Sequence, residues 1–247
     1  MFQPIKDPNT TQLPWLLLFG RTLLFFGVQT LFALGFAVGG TTAPWTASAA
    51  WWPLGVTLVN LICLVVMVFA VQREGGSYWT IFRLERAHLK SDLMALAVVL
   101  LISAPVSYLP NVLLATALFG DAQVALDLLV RPLPLWAAYA SVILFPITQG
   151  LVELPLYFLY VMPRLRHQGI AIGVAVVLTV LMLSLQHLAI PFLFDSRFII
   201  WRGLMFLPFA LLVGLVLHWR PRLLSYLAVV HVLMDMAFAV LLIGVAT

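Results

Sequence analysis

QGLVELPLYFLYVMPRLRH, residues 149–167, places one carboxylate, Glu153, inside an otherwise apolar segment. A charged side chain at the centre of a membrane helix costs about 3 kcal/mol on insertion scales. Such residues occur where they have a partner or a function, so Glu153 is a candidate functional residue. Its partners must come from other apolar segments and must lie at the same depth.

The composition is that of a membrane protein. Of 247 residues, 64% are hydrophobic and 9% are charged, and the mean hydropathy is +1.10. A soluble domain has about 25% charged residues. In lipid only helices and closed barrels satisfy every backbone group, and continuous apolar runs favour helices over alternating barrel strands. We therefore predict one all-α domain over residues 1–247, a polytopic integral membrane helical bundle in contact with membrane lipids.

Net charge and cysteine content exclude two function classes. The formal net charge of +4 reflects basic residues at the ends of apolar runs, where they set topology, so it does not indicate a nucleic-acid partner. Cys63 is the only cysteine. A single cysteine excludes an intramolecular disulfide and a cluster of thiolate metal ligands.

The apolar runs predict about seven transmembrane helices, because each run is near the roughly 20 residues that a span needs. The predicted spans cover residues 14–38, 52–71, 93–109, 135–162, 169–190, 199–217 and 224–245. Asp121 and Asp127 interrupt residues 111–131, which we predict as a short interfacial helix outside the membrane. In the polar loop 73–91, Tyr78 and Trp79 predict a short helix that lies on the membrane surface.

Basic residues are distributed asymmetrically over the predicted loops. Seven spans with a cytoplasmic N-terminus place most of them in the cytoplasm: Lys6, Arg73, Arg83, Arg86, Lys90, Arg164, Arg166, Arg220 and Arg222. Arg131, Arg197 and Arg202 fall outside. This distribution obeys the positive-inside rule, so we predict a multi-pass protein of the cell membrane with its N-terminus in the cytoplasm. Arg21, in the first span, is predicted to extend toward Lys6 at the membrane surface.

Four ionisable residues fall inside predicted spans of the second half: Glu153, His187, His231 and Asp235. Glu153 and His187 are each 17 residues from Ile170, at the turn between spans four and five. Equal distance from the turn of an antiparallel hairpin predicts equal depth, so the two could hold and deprotonate a water molecule. His231 and Asp235 are four residues apart on one face of the seventh span, where the acid can orient the imidazole.

Two prolines near the candidate residues remove backbone donors. Pro155 cannot donate to the Leu151 carbonyl, and Pro191 cannot donate to the His187 carbonyl. Each therefore leaves a free acceptor and predicts a local kink. Other polar residues inside spans are predicted to make hydrogen bonds between helices: Gln149, Asn60 and Gln29.

Three motifs in residues 140–240 resemble those of the CPBP family, the CAAX proteases and bacteriocin-processing enzymes. ELPLYFLYVMPRL, which begins at Glu153, resembles the EExxxR motif with its PRL extension. LSLQH, which ends at His187, resembles FxxxH, and HVLMD, from His231 to Asp235, matches HxxxD. Members of this family are intramembrane peptidases. The resemblance implies a peptidase-like core over residues 140–240, similar to the type II CAAX prenyl proteases.

The resemblance also implies roles for the candidate residues. Glu153 and His187 would activate the attacking water, and His231 and Asp235 would stabilise the oxyanion or bind a metal. Glu153, His187 and His231 form the alternative ligand set for a divalent metal such as zinc. The implied activity is that of an intramembrane endopeptidase acting on a peptide or a lipidated peptide.

The first motif departs from the family pattern at two positions. Leu154 replaces the second glutamate and Phe158 replaces the arginine. These positions are four residues apart on one helical face, and replacing both leaves no single charge unpaired. The change is compatible with an active enzyme, and equally with a catalytically inactive member that acts as a membrane regulatory or immunity protein. A proton-coupled carrier is a third hypothesis, which the absence of a visible repeat disfavours.

Overall fold

The computed structural model of this chain describes residues 12–247, which are helical over most of their length and contain no strand. The α-helices are α1 (Leu13–Val38), α2 (Pro44–Ala50), α3 (Trp52–Arg73), α4 (Leu89–Phe119), α5 (Ala122–Leu129), α6 (Leu135–Leu154), α7 (Met162–His167), α8 (Ile172–Leu185), α9 (Ser196–Leu204), α10 (Leu207–Trp219), α11 (Leu224–Ala239) and α12 (Leu241–Gly244). Four 3₁₀ turns and one π-helical segment join them: Tyr78–Phe82, Arg86–His88, Gln186–Ala189, Pro221–Leu223 and the π segment Pro155–Val161. The polar tail with Lys6 and Asp7 lies outside the described residues.

Seven helical segments within residues 12–247 are long and apolar enough to cross a membrane. They are Leu13–Val38, Trp52–Arg73, Tyr78–Phe119, Leu135–His167, Ile172–Ala189, Ser196–Trp219 and Pro221–Gly244. The prediction of an all-α polytopic bundle is therefore confirmed. Continuous apolar runs form helices here because a helix satisfies its backbone polar groups internally, which a lipid environment requires.

The third span is longer than predicted. Helix α4 continues to Phe119, through Pro105 and Pro110, so its predicted end at residue 109 is wrong. Membrane helices tolerate proline because neighbouring groups satisfy the freed backbone acceptors. After Gly120, which has a φ of 83°, the Asp121 side chain accepts a hydrogen bond from the backbone N–H of residue 123 at 2.8 Å and caps α5. Helix α5 is therefore the short helix predicted for residues 111–131, and it occupies only the second half of that region.

The loop after α3 does not lie wholly on the surface as predicted. Tyr78 and Ile81 are 1% and 6% exposed and pack into the bundle, whereas Trp79 is 52% exposed. The segment forms two 3₁₀ turns instead of a surface helix. One side of it therefore belongs to the core and the other faces outward.

The Leu151 and His187 carbonyls, which lie four residues before Pro155 and Pro191, both accept hydrogen bonds from side chains of other helical segments. The Tyr78 hydroxyl donates to the Leu151 carbonyl at 2.6 Å, beside Pro155 and the π segment that it begins. The Arg202 Nε donates to the His187 carbonyl at 3.3 Å. The Leu151 carbonyl therefore accepts from a distant residue in place of its missing helical donor. The His187 carbonyl also accepts from the backbone N–H of Ile190 at 3.1 Å, so the prediction that its own segment leaves it free is wrong.

Helix α6 occupies the centre of the bundle. The span that contains it, Leu135–His167, is the most deeply buried of the seven, and α6 packs against α3 on one side and α11 on the other. A charged residue on this helix is surrounded by protein and not by lipid. The central position of α6 thus explains how Glu153 is accommodated at membrane depth.

Two arginines at the ends of predicted spans are buried. Arg164 and Arg202 are each 3% exposed. Arg164 forms an ion pair with Glu74 and stacks 3.6 Å from the centre of the Tyr160 ring. Arg202 donates to backbone carbonyls, including that of Ile190 at 2.7 Å. Both residues therefore tie helices together, and neither lies in a solvated loop.

Candidate functional site

Glu153 lies in the last turn of α6 and is buried. Its Oε2 accepts hydrogen bonds from the Gln149 side-chain amide and, at 2.8 Å, from that of Gln186. Arg21 places its Nη2 3.8 Å from the same oxygen. One carboxylate oxygen is therefore held by two amides and a cation, while the other oxygen faces a different helix.

Arg21 does not extend to the membrane surface, so that prediction is wrong. Its side chain is fully buried, and its Nη2 donates to Asn60 Oδ1 at 2.7 Å and to Gln149 Oε1 at 3.1 Å. Asn60 in turn donates to Gln149 Oε1 at 2.8 Å. A continuous network therefore connects α1, α3 and α6 to Glu153, because an arginine in the core is most stable beside an acid and amide acceptors.

Aromatic rings complete the surroundings of Arg21. Its guanidinium carbon lies 5.3 Å from the centre of the Phe25 ring and 5.8 Å from that of Tyr157. The electron-rich ring faces attract the cation. Tyr157 also donates to Gln186 Oε1 at 3.0 Å, which orients the amide that Gln186 offers to Glu153.

The second carboxylate oxygen of Glu153 faces helix α11. His231 Nε2 lies 3.6 Å from Glu153 Oε1 and 3.3 Å from Asp235 Oδ2. The His231 and Asp235 side chains are 17% and 21% exposed, against 4% for Glu153. The three groups thus form an acid–imidazole–acid cluster, which we call the triad, with its inner member buried and its outer members partly accessible.

Two buried polar atoms of the triad form no hydrogen bond within residues 12–247. They are His231 Nδ1 and Asp235 Oδ2, the second of which lies 3.3 Å from His231 Nε2 without hydrogen-bond geometry. Buried polar atoms normally have partners, and exceptions often mark functional positions. The triad therefore retains hydrogen-bonding capacity for a further group.

A glycine permits the close contact between α6 and α11. A Cβ added to Gly150 would lie 2.4 Å from Val232 Cγ2 and 2.9 Å from the Ala228 carbonyl oxygen. These distances are shorter than any ordinary contact, so only glycine fits at this position. Because Gly150 precedes Glu153 by one turn, this contact brings His231 within reach of the carboxylate.

His187 does not join the triad. Its Nδ1 donates to the Leu183 carbonyl at 2.9 Å, and its ring lies 4.3 Å from that of Phe206. Within residues 12–247 it forms no hydrogen bond or ion pair with Glu153, so the two side chains do not contact each other directly; that they hold a water molecule between them stays a prediction. The helix changes to a 3₁₀ turn at Gln186, and the hairpin partner carries the π segment. Counting equal numbers of residues from the turn therefore gives a position one residue too far along the chain, and Gln186, not His187, contacts Glu153.

The proposed metal ligands Glu153, His187 and His231 are not assembled as a set. In the described part of the chain, no three His, Cys, Asp or Glu side chains are arranged to hold a metal ion. His187 donates its Nδ1–H to the Leu183 carbonyl and does not join Glu153 and His231 in such a group. The arrangement is suited to hydrogen bonding and proton transfer between carboxylates and an imidazole.

The two positions that depart from the family motif are filled by core packing. Leu154 and Phe158 are 3% and 0% exposed. The Phe158 ring lies against Gly214 of α10, where an added Cβ would approach it to 2.9 Å. The cation beside Glu153 is supplied by Arg21 of the first helix. An arginine inside an apolar run was a visible signal of this contact, whereas nothing in the sequence distinguished Gln186 or Tyr157.

The fold and the triad define a polytopic α-helical membrane protein with a buried cluster of ionisable side chains. No protein-family model, curated protein or solved structure matches this chain. The resemblance to the CPBP family therefore stays a hypothesis carried by the motifs.

Proposed function

We propose that this chain is an intramembrane endopeptidase in which Glu153 activates a water molecule. The observation that carries the proposal is the triad: Glu153 Oε1 and Asp235 Oδ2 lie 3.6 Å and 3.3 Å from the same nitrogen of His231. These residues come from two of the three motifs that resemble the family. A peptide or a lipidated peptide is the proposed substrate.

The hydrolysis assigns one role to each member of the triad. Glu153 takes a proton from water, and the hydroxide attacks the carbonyl carbon of the peptide bond. The His231 Nε2–H donates to the oxyanion that forms, and the Asp235 carboxylate, 3.3 Å from the same nitrogen, stabilises positive charge on the ring. The proton on Glu153 then passes to the amide nitrogen as the C–N bond breaks, which leaves a carboxylic acid and an amine.

Groups around Glu153 support this assignment. The amides of Gln149 and Gln186 and the Arg21 guanidinium all meet Oε2, which holds the carboxylate in one orientation. Only Oε1 is then directed toward His231. Positioning of this kind is worth several orders of magnitude in rate, because the reacting groups need no reorganisation. His187 supports the local backbone and takes no proton in this scheme.

The test uses the full chain reconstituted in liposomes with prenylated and signal-type peptides, and mass spectrometry identifies the products. Glu153→Gln is expected to lower kcat by about 100-fold to 10,000-fold, as for loss of a general base. Asp127→Asn, which removes an exposed acid far from the triad, is the control and is expected to retain activity. The proposal is rejected if wild type cleaves none of these peptides, or if Glu153→Gln cleaves as fast as wild type.

A second candidate is a catalytically inactive protein on the same scaffold, with a regulatory or immunity role. The specific observation in its favour is that Glu153 Oε2 is fully satisfied by two amides and Arg21, as in a structural ion pair. If this candidate function is correct, the Glu153→Gln variant is expected to complement a deletion strain fully. An altered melting temperature is then the only defect expected of the variant.

The proposed location is the cell membrane, with the N-terminus in the cytoplasm. The excess of basic residues at the ends of α3, α7 and α10 supports this orientation through the positive-inside rule. Labelling of single cysteines introduced at Arg166 and Arg197 in intact cells tests it, since the first is expected to be protected and the second accessible.

A further inference from the structure

The two ends of the bundle differ in charge. The ends of α3, α7 and α10 meet the starts of α4 and α11, where Arg220 donates to the Ser91 carbonyl at 3.3 Å. We call this the basic end, and eight basic and three acidic residues define it: Arg73, Arg83, Arg86, Lys90, Arg164, Arg166, Arg220, Arg222, Glu74, Glu85 and Asp92. Within residues 12–247, the opposite end has three basic and three acidic residues: Arg131, Arg197, Arg202, Asp121, Asp127 and Asp195.

One segment of the basic end combines exposed apolar and exposed basic side chains. This interfacial segment, residues 77–90, follows α3 and runs into the first turn of α4. It forms the beginning of the candidate span Tyr78–Phe119, which puts it at the end of the bundle where a membrane surface would lie. Trp79, Leu84 and Leu89 are 52%, 58% and 42% exposed. Soluble surfaces seldom expose such side chains together, whereas the boundary between headgroups and acyl chains favours them.

The inner side of the interfacial segment is fixed to the bundle. Tyr78 donates to the Leu151 carbonyl of α6 at 2.6 Å, and the Ile81 carbonyl accepts from Ser225 of α11 at 3.2 Å. The outward side chains are therefore presented by a backbone that is held at two points. This arrangement suits a binding surface whose partner lies outside the protein.

The basic side chains of the interfacial segment have no acidic partner of their own. Arg83, Arg86 and Lys90 are exposed and form no ion pair within residues 12–247. At the opposite end, by contrast, Arg197 pairs with Asp195 at 3.2 Å, and Arg131 donates to a backbone carbonyl at 2.8 Å. Uncompensated positive charge is thus concentrated on this segment.

We propose that the interfacial segment binds the headgroups of anionic phospholipids. The indole and leucine side chains enter the boundary of the acyl chains, and Arg83, Arg86 and Lys90 contact the phosphates above it. A basic residue close to an anionic membrane surface contributes about fivefold to affinity. The charge and the apolar side chains together select a lipid over a soluble anion, since a soluble anion would use only the charge.

The experiment measures quenching of Trp79 fluorescence by brominated lipids in proteoliposomes of the full chain. The Trp79→Phe variant supplies the background from the other tryptophans, and the difference reports residue 79. Brominated phosphatidylglycerol is expected to quench more than brominated phosphatidylcholine at the same mole fraction. The excess is expected to fall in 0.5 M NaCl, because salt screens exposed charges.

The variant R83Q/R86Q/K90Q is expected to lose the excess quenching by brominated phosphatidylglycerol. Each basic residue removed is expected to lower the affinity for phosphatidylglycerol, relative to phosphatidylcholine, by about fivefold. R131Q/R197Q is the control at the opposite end and is expected to keep the excess, as is the charge-retaining R83K/R86K. Equal quenching by the two lipids, or an excess that survives R83Q/R86Q/K90Q, overturns the proposal. Displacement of the lipid by free glycerol 3-phosphate also overturns it, because it would identify a soluble-anion site.

Discussion

Gly150→Ala is expected to separate the triad without touching any of its members. The added methyl carbon would lie 2.4 Å from Val232 Cγ2 and 2.9 Å from the Ala228 carbonyl oxygen. Carbon atoms in contact are about 3.5–4.0 Å apart, so the methyl group is about 1 Å too close. Val232 has little freedom to rotate, since β-branched side chains in helices have one preferred χ1, and the Ala228 carbonyl belongs to the backbone. Helix α11 must therefore move away from α6.

The size of the effect follows from two opposing terms. Overpacking of a core costs about 1–3 kcal/mol, and replacing glycine by alanine within a helix returns about 0.5–1 kcal/mol. The expected net loss is about 1–2 kcal/mol in the free energy of unfolding. The movement of α11 also lengthens the 3.6 Å contact between His231 Nε2 and Glu153 Oε1, so cleavage is expected to fall more than stability.

Denaturation of the purified chain in mixed detergent micelles measures the stability change, and peptide cleavage in liposomes measures the rate. Gly27→Ala is the matched control, because it lies within α1 and a Cβ there would meet no atom within 4 Å. The control is expected to leave cleavage unchanged and to stabilise the chain by up to about 1 kcal/mol. If Gly150→Ala behaves like Gly27→Ala in both assays, the close approach of α6 and α11 is not what forms the triad.

Three further predictions concern the surroundings of the site and one helix end. Arg21→Met leaves Glu153 without its cation and is expected to cost about 3–5 kcal/mol in micelle denaturation; a loss as large in Arg21→Lys would show that charge is not the cause. Tyr78→Phe leaves the Leu151 carbonyl without its donor and is expected to cost about 1–3 kcal/mol, and an unchanged melting temperature would refute this. A hydrogen bond from the Arg197 side chain lowers the pKa of Asp195. The ionised Asp195 carboxylate therefore stabilises the fold above its unfolded-state pKa, and this stabilisation is lost as the pH falls through its folded-state pKa. Asp195 also caps α9, because its side chain accepts a hydrogen bond from the Arg197 backbone N–H at 2.8 Å. Asp195→Ala is accordingly expected to cost about 1 kcal/mol at neutral pH and nothing in strong acid, and a cost independent of pH would contradict this role of the carboxylate.

The span pattern could be predicted because it depends on local properties of the chain. A run of about 20 apolar residues must be helical in lipid wherever it lies in the bundle. The pairing of His231 with Asp235 was predictable for the same reason, since four residues along a helix bring side chains onto one face. The end of α4 was misjudged because Asp121 and Asp127 were taken to interrupt the apolar run from residue 111 onward, whereas α4 continues through Pro105 and Pro110 to Phe119.

The contacts of Glu153 were only partly predictable, because they depend on register between distant helices. The hairpin argument placed His187 opposite Glu153, and the structure places Gln186 there. A π segment on one side and a 3₁₀ turn on the other change the rise per residue, and neither leaves a clear mark in composition. Arg21 was visible as a charge in an apolar run, but its distance from both span ends did not reveal which way it turns.

Apolar run length and the chemistry of proline by themselves determined the seven helices, the acid at membrane depth and the Leu151 carbonyl that needed an outside donor. Tertiary packing alone decided that Arg21 neutralises Glu153, that Gln186 replaces His187 beside it, and that Gly150 lets α11 approach closely enough for His231 to face the carboxylate. The physical reason is that a helix forms from interactions within a few residues, whereas the meeting of side chains from four helices depends on angstrom-scale packing that no single segment encodes.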